Sequence, residues 1–325
     1  MKKETLSLVI GEDQGEGNNR GVICAANSGN RFIDSHYSEG VTDFVVGCQG
    51  TDLAPLIAER DSIAPSVRVP RRFEFKKSKK GLAFLANEND LRAIGSGFNK
   101  VGDGRESVDA HVFNRGLTTT LDRDEMMDGD IEQAARSLTA ILLRNSIKRG
   151  YALLAGTATN TGKVWGSAAD PDGDVMEKMV AILEARGVLP NRAIYGSAAW
   201  LRRRTSYVGN DGDGTGALAT LPPDQVAQAI AVEQLRISRA VAKSTEKGAK
   251  SLMLANKVFL YYADAVASRD DASNIKRFWS PTANGGDIAV YVNEKNKTVD
   301  VTVELYELMA VTDSDGILSL TVTAS

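Results

Sequence analysis

The sequence predicts an α+β fold, and three patterns indicate this class. Apolar residues recur at spacings of three and four between Asp130 and Gly156, which predicts one long amphipathic helix. Helical and strand-like patterns alternate between Asp174 and Tyr262, as in an α/β layer. Between Asp287 and Thr323, strand patterns with alternating apolar and polar residues recur, which is typical of half-buried antiparallel strands.

Composition indicates a globular chain made in a reducing compartment. With 325 residues, 42% of them hydrophobic, the chain can bury a sizeable core in two domains or one elaborated domain. A net charge of −3 disfavours a protein built to coat nucleic acid or an anionic membrane. Cys24 and Cys48 are too few for a disulfide framework. No secretory signal and no apolar run of about 18 residues occurs, so we expect cytosolic synthesis and no membrane partner.

The first part of the chain predicts extended structure. Residues 1–50 show no lasting period and are predicted to form an arm. Pro65 and Pro70 hold the following segment extended and disfavour a helix there. Phe73 and Phe75 then alternate with charged residues, as in a strand with one apolar face.

A long hairpin is predicted next. Leu82–Arg92 and Val108–Thr118 have strand patterns and are joined by a glycine-rich connection. A two-stranded ribbon is only marginally stable by itself in water. We therefore expect this hairpin to be supported partly by another subunit.

The long helix has signals at both ends. Asp130 and Gln133 fit a capping box, and Gly156 fits a helix stop. Acidic residues near the start and basic residues near the end complement the helix dipole. At about 1.5 Å per residue the helix is roughly 40 Å long, enough to carry other parts of the fold.

Shorter elements follow in the order of an α/β layer. Asp174 and Glu177 fit a second capping box, at the start of a helix that Gly187 ends. The patterns then predict a strand at Arg192–Tyr195, a helix from Ser197, a loop at 208–218, a helix at Asp224–Ala231, and strands at Leu235–Val241 and Lys257–Tyr262.

Three further strand patterns complete the chain, at Asp287–Asn293, Thr298–Tyr306 and Ile317–Thr323. In the second of them, alternate residues from Val299 to Leu305 are apolar, so one face is expected to be buried. We expect one antiparallel sheet that packs against the long helix.

No pattern of catalytic residues is found. His36 and His111 are isolated, and no G-x-S-x-G, H-x-x-x-H or C-x-x-C motif occurs. Residues 156–164, GTATNTGKV, differ from a phosphate-binding loop, because five residues separate the glycines and Val164 replaces the Ser or Thr that would ligate Mg²⁺. We predict no enzyme activity and no cofactor.

Two acidic clusters do not match a calcium loop. They are Asp170, Asp172 and Asp174, and Asp211 and Asp213. In the first, Gly173 stands at the fourth place instead of the sixth. Helix capping and loop solubility explain both clusters, and no metal site is predicted.

A basic segment lies between the arm and the hairpin. It is formed by Arg68, Arg71, Arg72, Lys76, Lys77, Lys79 and Lys80, with Phe73 and Phe75 among them. We expect it to contact an acidic cluster on a neighbouring subunit, formed by Asp122, Asp124, Glu125 and Asp128. Phosphate contacts with nucleic acid, without base reading, and a solvated face are the alternatives.

Several stretches, taken in order, resemble the major capsid proteins of tailed bacteriophages. They are IAPSVRVPRRFEF (63–75), the glycine-tipped hairpin, LTTTLDRDEMMDGDIEQAARSLTAILLRNSIKRGYALL (117–154), PNRAIYGSAAWLRRR (190–204) and the closing strands. The likeness spans residues 34–325. It lies in the order of elements and in two semi-specific strings, V-P-R-R and D-I-E-Q-A-A, neither of which is a catalytic signature.

The resemblance implies a structural subunit of an icosahedral shell. Its parts would be an N-terminal arm (1–70), an extended loop (71–121), a peripheral domain with the spine helix (122–165), an α/β axial domain (166–262) and the peripheral sheet (263–325). It implies self-assembly into hexamers and pentamers that enclose double-stranded DNA without reading its sequence. Portal, scaffold or decoration proteins would be further partners. The expected location is the virion, after assembly in the host cytoplasm.

Other interpretations stay open. An encapsulin-like nanocompartment would enclose enzymes instead of a genome; a cargo-docking N-terminal helix would favour it, whereas residues 11–30 are polar and glycine-rich. An α/β enzyme would need a cleft with a perturbed Asp, Glu or Lys. A nucleic-acid-binding protein using residues 68–80 would lose DNA affinity steeply with salt. If the hairpin serves assembly, deletion of Gly81–Gly104 should leave a soluble subunit that builds no shells.

Overall fold

The computed structural model describes residues 36–78, 105–209, 215–243, 248–283 and 285–324. The helices are α1 Glu39–Gln49, α2 Ala54–Ile63, α3 Asp130–Thr157, α4 Pro171–Arg186, α5 Ser197–Gly209 and α6 Pro223–Ala229, with a 3₁₀ helix at Thr215–Thr220. The strands are β1 Ser66–Arg68, β2 Arg72–Ser78, β3 Arg105–His111, β4 Phe113–Asp122, β5 Thr159–Val164, β6 Arg192–Gly196, β7 Gln234–Ser238, β8 Val241–Lys243, β9 Lys250–Leu252, β10 Lys257–Tyr261, β11 Ile275–Ser280, β12 Ile288–Glu294, β13 Thr298–Val311 and β14 Leu318–Thr323. The fold mixes helices and strands, as predicted.

Some predictions concern residues outside the described ranges. These are the strand Leu82–Arg92 with its glycine-rich connection, the deletion Gly81–Gly104, Lys79 and Lys80 of the basic segment, Cys24, the pair Asp211 and Asp213, and residues 11–30.

The described chain forms two compact units. The first unit consists of residues 36–48 together with Gly116–Thr139 and Pro281–Leu305. The second unit contains the other described residues, including Ala140–Ser280 and those from Tyr306 on. The elements β4, α3 and β13 run from one unit into the other.

The first unit is built on an antiparallel sheet. β12 pairs with the first part of β13, from Ile288 opposite Leu305 to Glu294 opposite Val299, and β4 pairs with β13 as well. Val299, Val301, Val303 and Leu305 are all buried. This confirms the alternation predicted for this strand, because successive side chains of a strand point to opposite faces.

The second unit is built on a five-stranded sheet in the order β5, β14, β10, β6, β7. The central strand β10 is antiparallel to both neighbours, while β5 is parallel to β14 and β7 is parallel to β6. Burial of β10 confirms the prediction from its continuous apolar run. Apolar residues of α4, α5 and α6 cover one face of the sheet, and those of α2 and α3 cover the other.

The predicted long helix is confirmed, with one difference in its buried face. α3 spans Asp130–Thr157, and Ile147, Tyr151 and Leu154 pack into the core of the second unit. Ile141, predicted on the buried stripe, is 43% exposed, whereas Leu143 is fully buried. Residues two positions apart in a helix are separated by about 200° around its axis, so the side chains of Ile141 and Leu143 lie on nearly opposite sides.

The capping box predicted for α3 does not form. Asp130 turns back and accepts a hydrogen bond from the Met127 backbone N–H at 2.7 Å. Gln133 accepts a hydrogen bond from Arg136 at 2.6 Å. Gly129 has a φ of 89° in the turn before the helix. The Asp130 carboxylate hydrogen-bonds within this turn and not to the helix amides that the prediction assigned to it.

The predicted start of α4 at Asp174 is also wrong. The helix begins at Pro171, and Asp170 caps it by accepting a hydrogen bond from the Gly173 N–H at 3.1 Å. Proline fits this first position because no intrahelical hydrogen bond is needed from its nitrogen. Gly187, with a φ of 77°, follows the helix as predicted.

Other differences reflect pairing between distant parts of the chain. The polar residues after α3 form β5, which lies parallel to β14. β14 therefore belongs to the sheet of the second unit and not to one C-terminal sheet with β12 and β13. The region predicted as an arm contains α1 and α2, and the strand predicted at Leu235–Val241 is divided between β7 and β8.

Candidate subunit-contact surface

The strands β2 and β3 form a two-stranded antiparallel ribbon. β3 overlaps the second predicted strand of the hairpin, Val108–Thr118, whereas the predicted first strand, Leu82–Arg92, lies outside the described residues. Phe73 lies opposite Ala110, and Phe75 lies opposite Val108. These apolar side chains share one face of the ribbon, because residues two apart in a strand point the same way. In the described chain, the partner of β3 is thus the strand that contains the basic segment.

Phe73 and Phe75 are buried in their own chain. Their exposed fractions are 9% and 5%, and their ring centroids lie 4.7 and 5.2 Å from that of Phe278 on β11. The base of the ribbon is therefore supported by its own unit.

Exposed cations surround this buried cluster. Arg68, Arg71, Arg72 and Lys76 are exposed, and Lys77 is half-buried. The Arg71 guanidinium lies 4.3 Å from the centroid of the Tyr306 ring. The Arg68 guanidinium lies 5.9 Å from that of Trp279. Such cation–π contacts orient a long side chain while its charge stays accessible. Sequence reasoning missed both rings, since no local pattern links them to the basic segment.

The backbone of the basic segment is fixed as well. The Lys76 N–H donates a hydrogen bond to Asp270 Oδ1 at 3.0 Å, and Arg269 donates to Asp270 Oδ2. Burial opposes ionisation of Asp270, but these hydrogen bonds outweigh it and lower the pKa of its carboxyl group. At neutral pH the carboxylate is therefore charged and holds β2 in position.

A cleft of about 710 Å³ opens at the base of the ribbon. It is lined by Arg71, Arg72, Phe73, Glu74, Asp109, Ala110, His111 and Val112. Both signs of charge and three apolar side chains line it, so a mixed-charge polypeptide fits its chemistry better than a uniformly anionic polymer. His111 stacks edge-on against Phe113, with ring centroids 4.6 Å apart.

The acidic cluster lies in the first unit, whereas the basic segment lies in the second. All four acidic residues are exposed; Asp122 ends β4, and Asp124, Glu125 and Asp128 follow it. Asp122 Oδ1 accepts a hydrogen bond from the Asp124 N–H at 3.0 Å, which fixes the turn. Lys297 lies 3.8 Å from Asp124, and both side chains are about four-fifths exposed, so this pair is weak.

A buried ionic group supports the strands under the basic segment. Glu307 on β13 is fully buried and accepts hydrogen bonds from Arg277 at 3.0 Å, from Ser146 at 2.9 Å and from Arg149. Burial raises the pKa of Glu307, but the two guanidinium groups outweigh this and hold it below its usual value. Glu307 lies opposite Trp279, the residue that supports Arg68.

Positions considered for phosphate or metal chemistry have structural roles. Residues 159–164 form β5 instead of a phosphate loop. Asp172 pairs with Arg203 at 2.6 Å, and Asp174 pairs with Lys163 at 2.7 Å. Within residues 36–78, 105–209, 215–243, 248–283 and 285–324, no group of three or more His, Cys, Asp or Glu side chains is placed to hold a metal ion. No helix in those ranges combines the length and apolar character needed to span a membrane.

Comparisons with known proteins agree with the resemblance at the level of the fold. No family model matches the sequence, and no curated protein does. A phage-related protein from Bordetella bronchiseptica RB50 matches over 88% of this chain and 97% of its own, with a TM-score of 0.64 and 16% identity. A structure of Gordonia phage Cozz matches over 82% and 86%, with a TM-score of 0.52 and 11% identity.

A chain from the capsid structure of cyanophage P-SCSP1u covers 81% of this chain and 87% of its own, with a TM-score of 0.49 and 12% identity. At identities this small, the likeness concerns the fold alone. The chain thus has the fold of the phage-related protein, and this fold is consistent with that of the phage major capsid proteins that its sequence resembles.

Proposed function

We propose that this chain is a shell-forming structural protein, the major capsid protein of a tailed bacteriophage. The observation that carries the proposal is the match to the phage-related protein, which extends over nearly all of that protein's length. A contact surface with mixed charge at the base of the ribbon fits a protein that binds copies of itself. The proposed function is structural, and no residue is assigned a catalytic role.

Assembly would use contacts between different surfaces of neighbouring copies. Such head-to-tail contacts close into rings when the rotation between copies allows it. Hexamers and pentamers of this kind would tile an icosahedral shell around double-stranded DNA. Each contact can be weak, because a subunit in a closed lattice is held by several contacts at once. With a net charge of −3, the wall would retain DNA mainly by enclosing it.

The charged residues of the two predicted sets would form one of these contacts. Arg68, Arg71, Arg72, Lys76 and Lys77 would face Asp122, Asp124 and Glu125 of the next copy. Phe73 and Phe75 would contribute indirectly, by fixing β2 against Phe278. In this scheme, residues 1–70 are the arm, 71–121 the extended loop, 122–165 the spine region, 166–262 the axial domain and 263–325 the peripheral sheet.

The proposed location is the virion, after assembly in the host cytoplasm. Portal, scaffold or decoration proteins would join the shell as further partners. A nanocompartment with enzyme cargo uses the same principle of enclosure, so the contents of the particles have to be measured together with their shape.

Electron microscopy of the purified protein tests the proposal. We expect uniform hollow polyhedra, or rings of five or six subunits, in negative stain. Particles isolated from phage-producing cells should contain DNA that nucleases reach only after the shell is opened. Particles filled with a folded enzyme would replace the capsid proposal by the nanocompartment. A protein that stays monomeric at all concentrations and salt conditions would contradict shell formation itself.

A further inference from the structure

An apolar stripe is exposed on α4 of the second unit. Met176, Val180 and Leu183 are 48%, 52% and 39% exposed, and their spacing places them on one side of the helix. Val175, Met179 and Ile182 are buried against the five-stranded sheet. At 100° per residue, Glu177 and Glu184 lie next to the exposed stripe, on the outer side of the helix. Glu177 is paired with Lys163 at 2.9 Å and with Lys178 at 3.0 Å, so its charge is compensated within the chain. The outer face of α4 is thus apolar with one acidic residue, Glu184, at its edge.

The outer face of α5 has the opposite charge. Leu201 and Val208 are 59% and 60% exposed and lie two helical turns apart. Arg204 is exposed between them on the same face. Ala199, Arg203 and Ser206 are on the buried side. The outer face of α5 is thus apolar with a basic edge.

The two helices are held rigidly on one face of the same sheet. Arg203 on α5 forms a bidentate pair with Asp172 on α4, with distances of 2.7 and 2.6 Å. Burial disfavours the charge of Arg203, but the hydrogen bonds to Asp172 outweigh this and raise its pKa. Because each helix buries its inner side against the sheet, the two outer faces cannot cover each other within one chain.

We propose that the outer face of α4 on one copy docks against the outer face of α5 on the next copy. Apolar side chains would meet apolar side chains, and Glu184 would lie near Arg204. The complementary charges argue for a second copy as the occupant, since each chain carries both halves of the contact. The contact joins different surfaces, so it can repeat from copy to copy and forms a ring when the rotation between copies closes. This inference rests on the proposed function and adds a contact distinct from that of the basic segment.

Charge exchange tests this contact. Glu184→Arg would place Arg against Arg204 of the neighbour, and Arg204→Glu would place Glu against Glu184, so each single variant should assemble poorly. In the double variant the pair is restored with reversed orientation. We expect each single variant to need at least about tenfold more protein for half-maximal assembly by light scattering, and the double variant to recover most of the loss.

Two controls show that any loss comes from the contact. Ala185→Arg adds a cation to an exposed position on the other flank of α4 and should assemble like the unchanged protein. All variants should unfold at the same temperature before assembly, because the altered side chains are exposed.

The outcomes separate this inference from the proposed function. If the unchanged protein forms rings or shells but the single variants assemble equally well, or the double variant is no better than the poorer single variant, the α4–α5 contact is overturned and the capsid function stands. If the unchanged protein forms no assembly under any condition, the proposed function is overturned and the contact with it.

Discussion

At the scale of the residue, Glu307 shows how much one buried charge contributes to this fold. Its carboxylate is fully buried between Arg277 and Arg149. Moving such charges out of water has a large free-energy cost, and the attraction between them offsets this cost only while all partners are present. Removing Glu307 leaves the buried Arg277 guanidinium and the partly exposed Arg149 guanidinium without their counter-ion.

We predict that Glu307→Gln destabilises the unassembled subunit by about 3 kcal/mol at pH 7, because it removes the charge and keeps the shape of the side chain. Urea denaturation followed by circular dichroism measures this loss. Glu184→Gln, an exposed change of the same chemistry, should alter the unfolding free energy by less than about 0.5 kcal/mol. A loss below about 1 kcal/mol for Glu307→Gln would contradict a stabilising role for the charge.

The same residue predicts a pH dependence. The pKa of Glu307 is lower in the folded chain than in the unfolded one, so its stabilisation is complete above the unfolded value of about 4.3 and is lost as pH falls through the folded value. The stability difference between the unchanged protein and Glu307→Gln should be constant from about pH 8 to pH 5. It should shrink below about pH 4. A difference that grows on acidification would have the wrong sign.

At the scale of the element, α3 contains two glycines in different surroundings. A Cβ added at Gly150 would lie 2.8 Å from Ile63 Cγ2 and 3.3 Å from Met309 Sδ. Ile63 is fully buried and branched at its β carbon, so its methyl group has little room to move. At Gly156 an added Cβ meets no atom within 4 Å. Gly150 thus permits a close approach, whereas Gly156 only lowers helix propensity.

We predict opposite effects for alanine at these two positions. Gly156→Ala should raise the unfolding free energy by up to about 1 kcal/mol, since alanine favours the helix. Gly150→Ala has the same helical gain but should lower stability by about 1 to 2 kcal/mol in total, because overpacking outweighs it. Thermal unfolding of the two variants side by side measures both effects. Equal stabilisation by both changes would show that the core next to Ile63 accommodates the added methyl group without losing stability.

At the scale of the whole molecule, the base of the ribbon is held by residues of its own chain. This base packs on Phe278, so it does not need a neighbour to be ordered. The register ends with Ser78 opposite Arg105, which leaves the two strand ends adjacent. A two-residue turn such as Asn-Gly suits strand ends that face each other.

We predict that replacing residues 79–104 by Asn-Gly gives a folded, soluble subunit that builds no shells. The buried base of the ribbon should keep the unfolding temperature close to that of the unchanged protein. Size-exclusion chromatography with light scattering and negative-stain imaging report assembly. Normal shells from this variant would show that residues 79–104 are not needed for assembly. A chain that fails to fold would show that these residues stabilise the subunit itself.

The amino-acid pattern alone predicts the elements whose signal is local. The repeat of apolar residues predicted α3 to within one residue at its end, and strict alternation predicted the buried face of β13. The continuous apolar run predicted β10 as a central strand. These patterns succeed because the period of a helix or strand fixes which side chains share a face, regardless of what covers that face.

Which distant segments pair with each other becomes visible only in the folded chain. β5 and β14 pair although about 150 residues separate them in the chain, and their sequences carry no sign of each other. The sequence pattern places Phe73 and Phe75 in a strand, but only their contacts with Phe278 show that they are core residues. The ionic group of Glu307, Arg277 and Arg149 could not be predicted either, because no local pattern links these residues. Burial and charge pairing depend on neighbours in space, and a local sequence pattern contains no information about those neighbours.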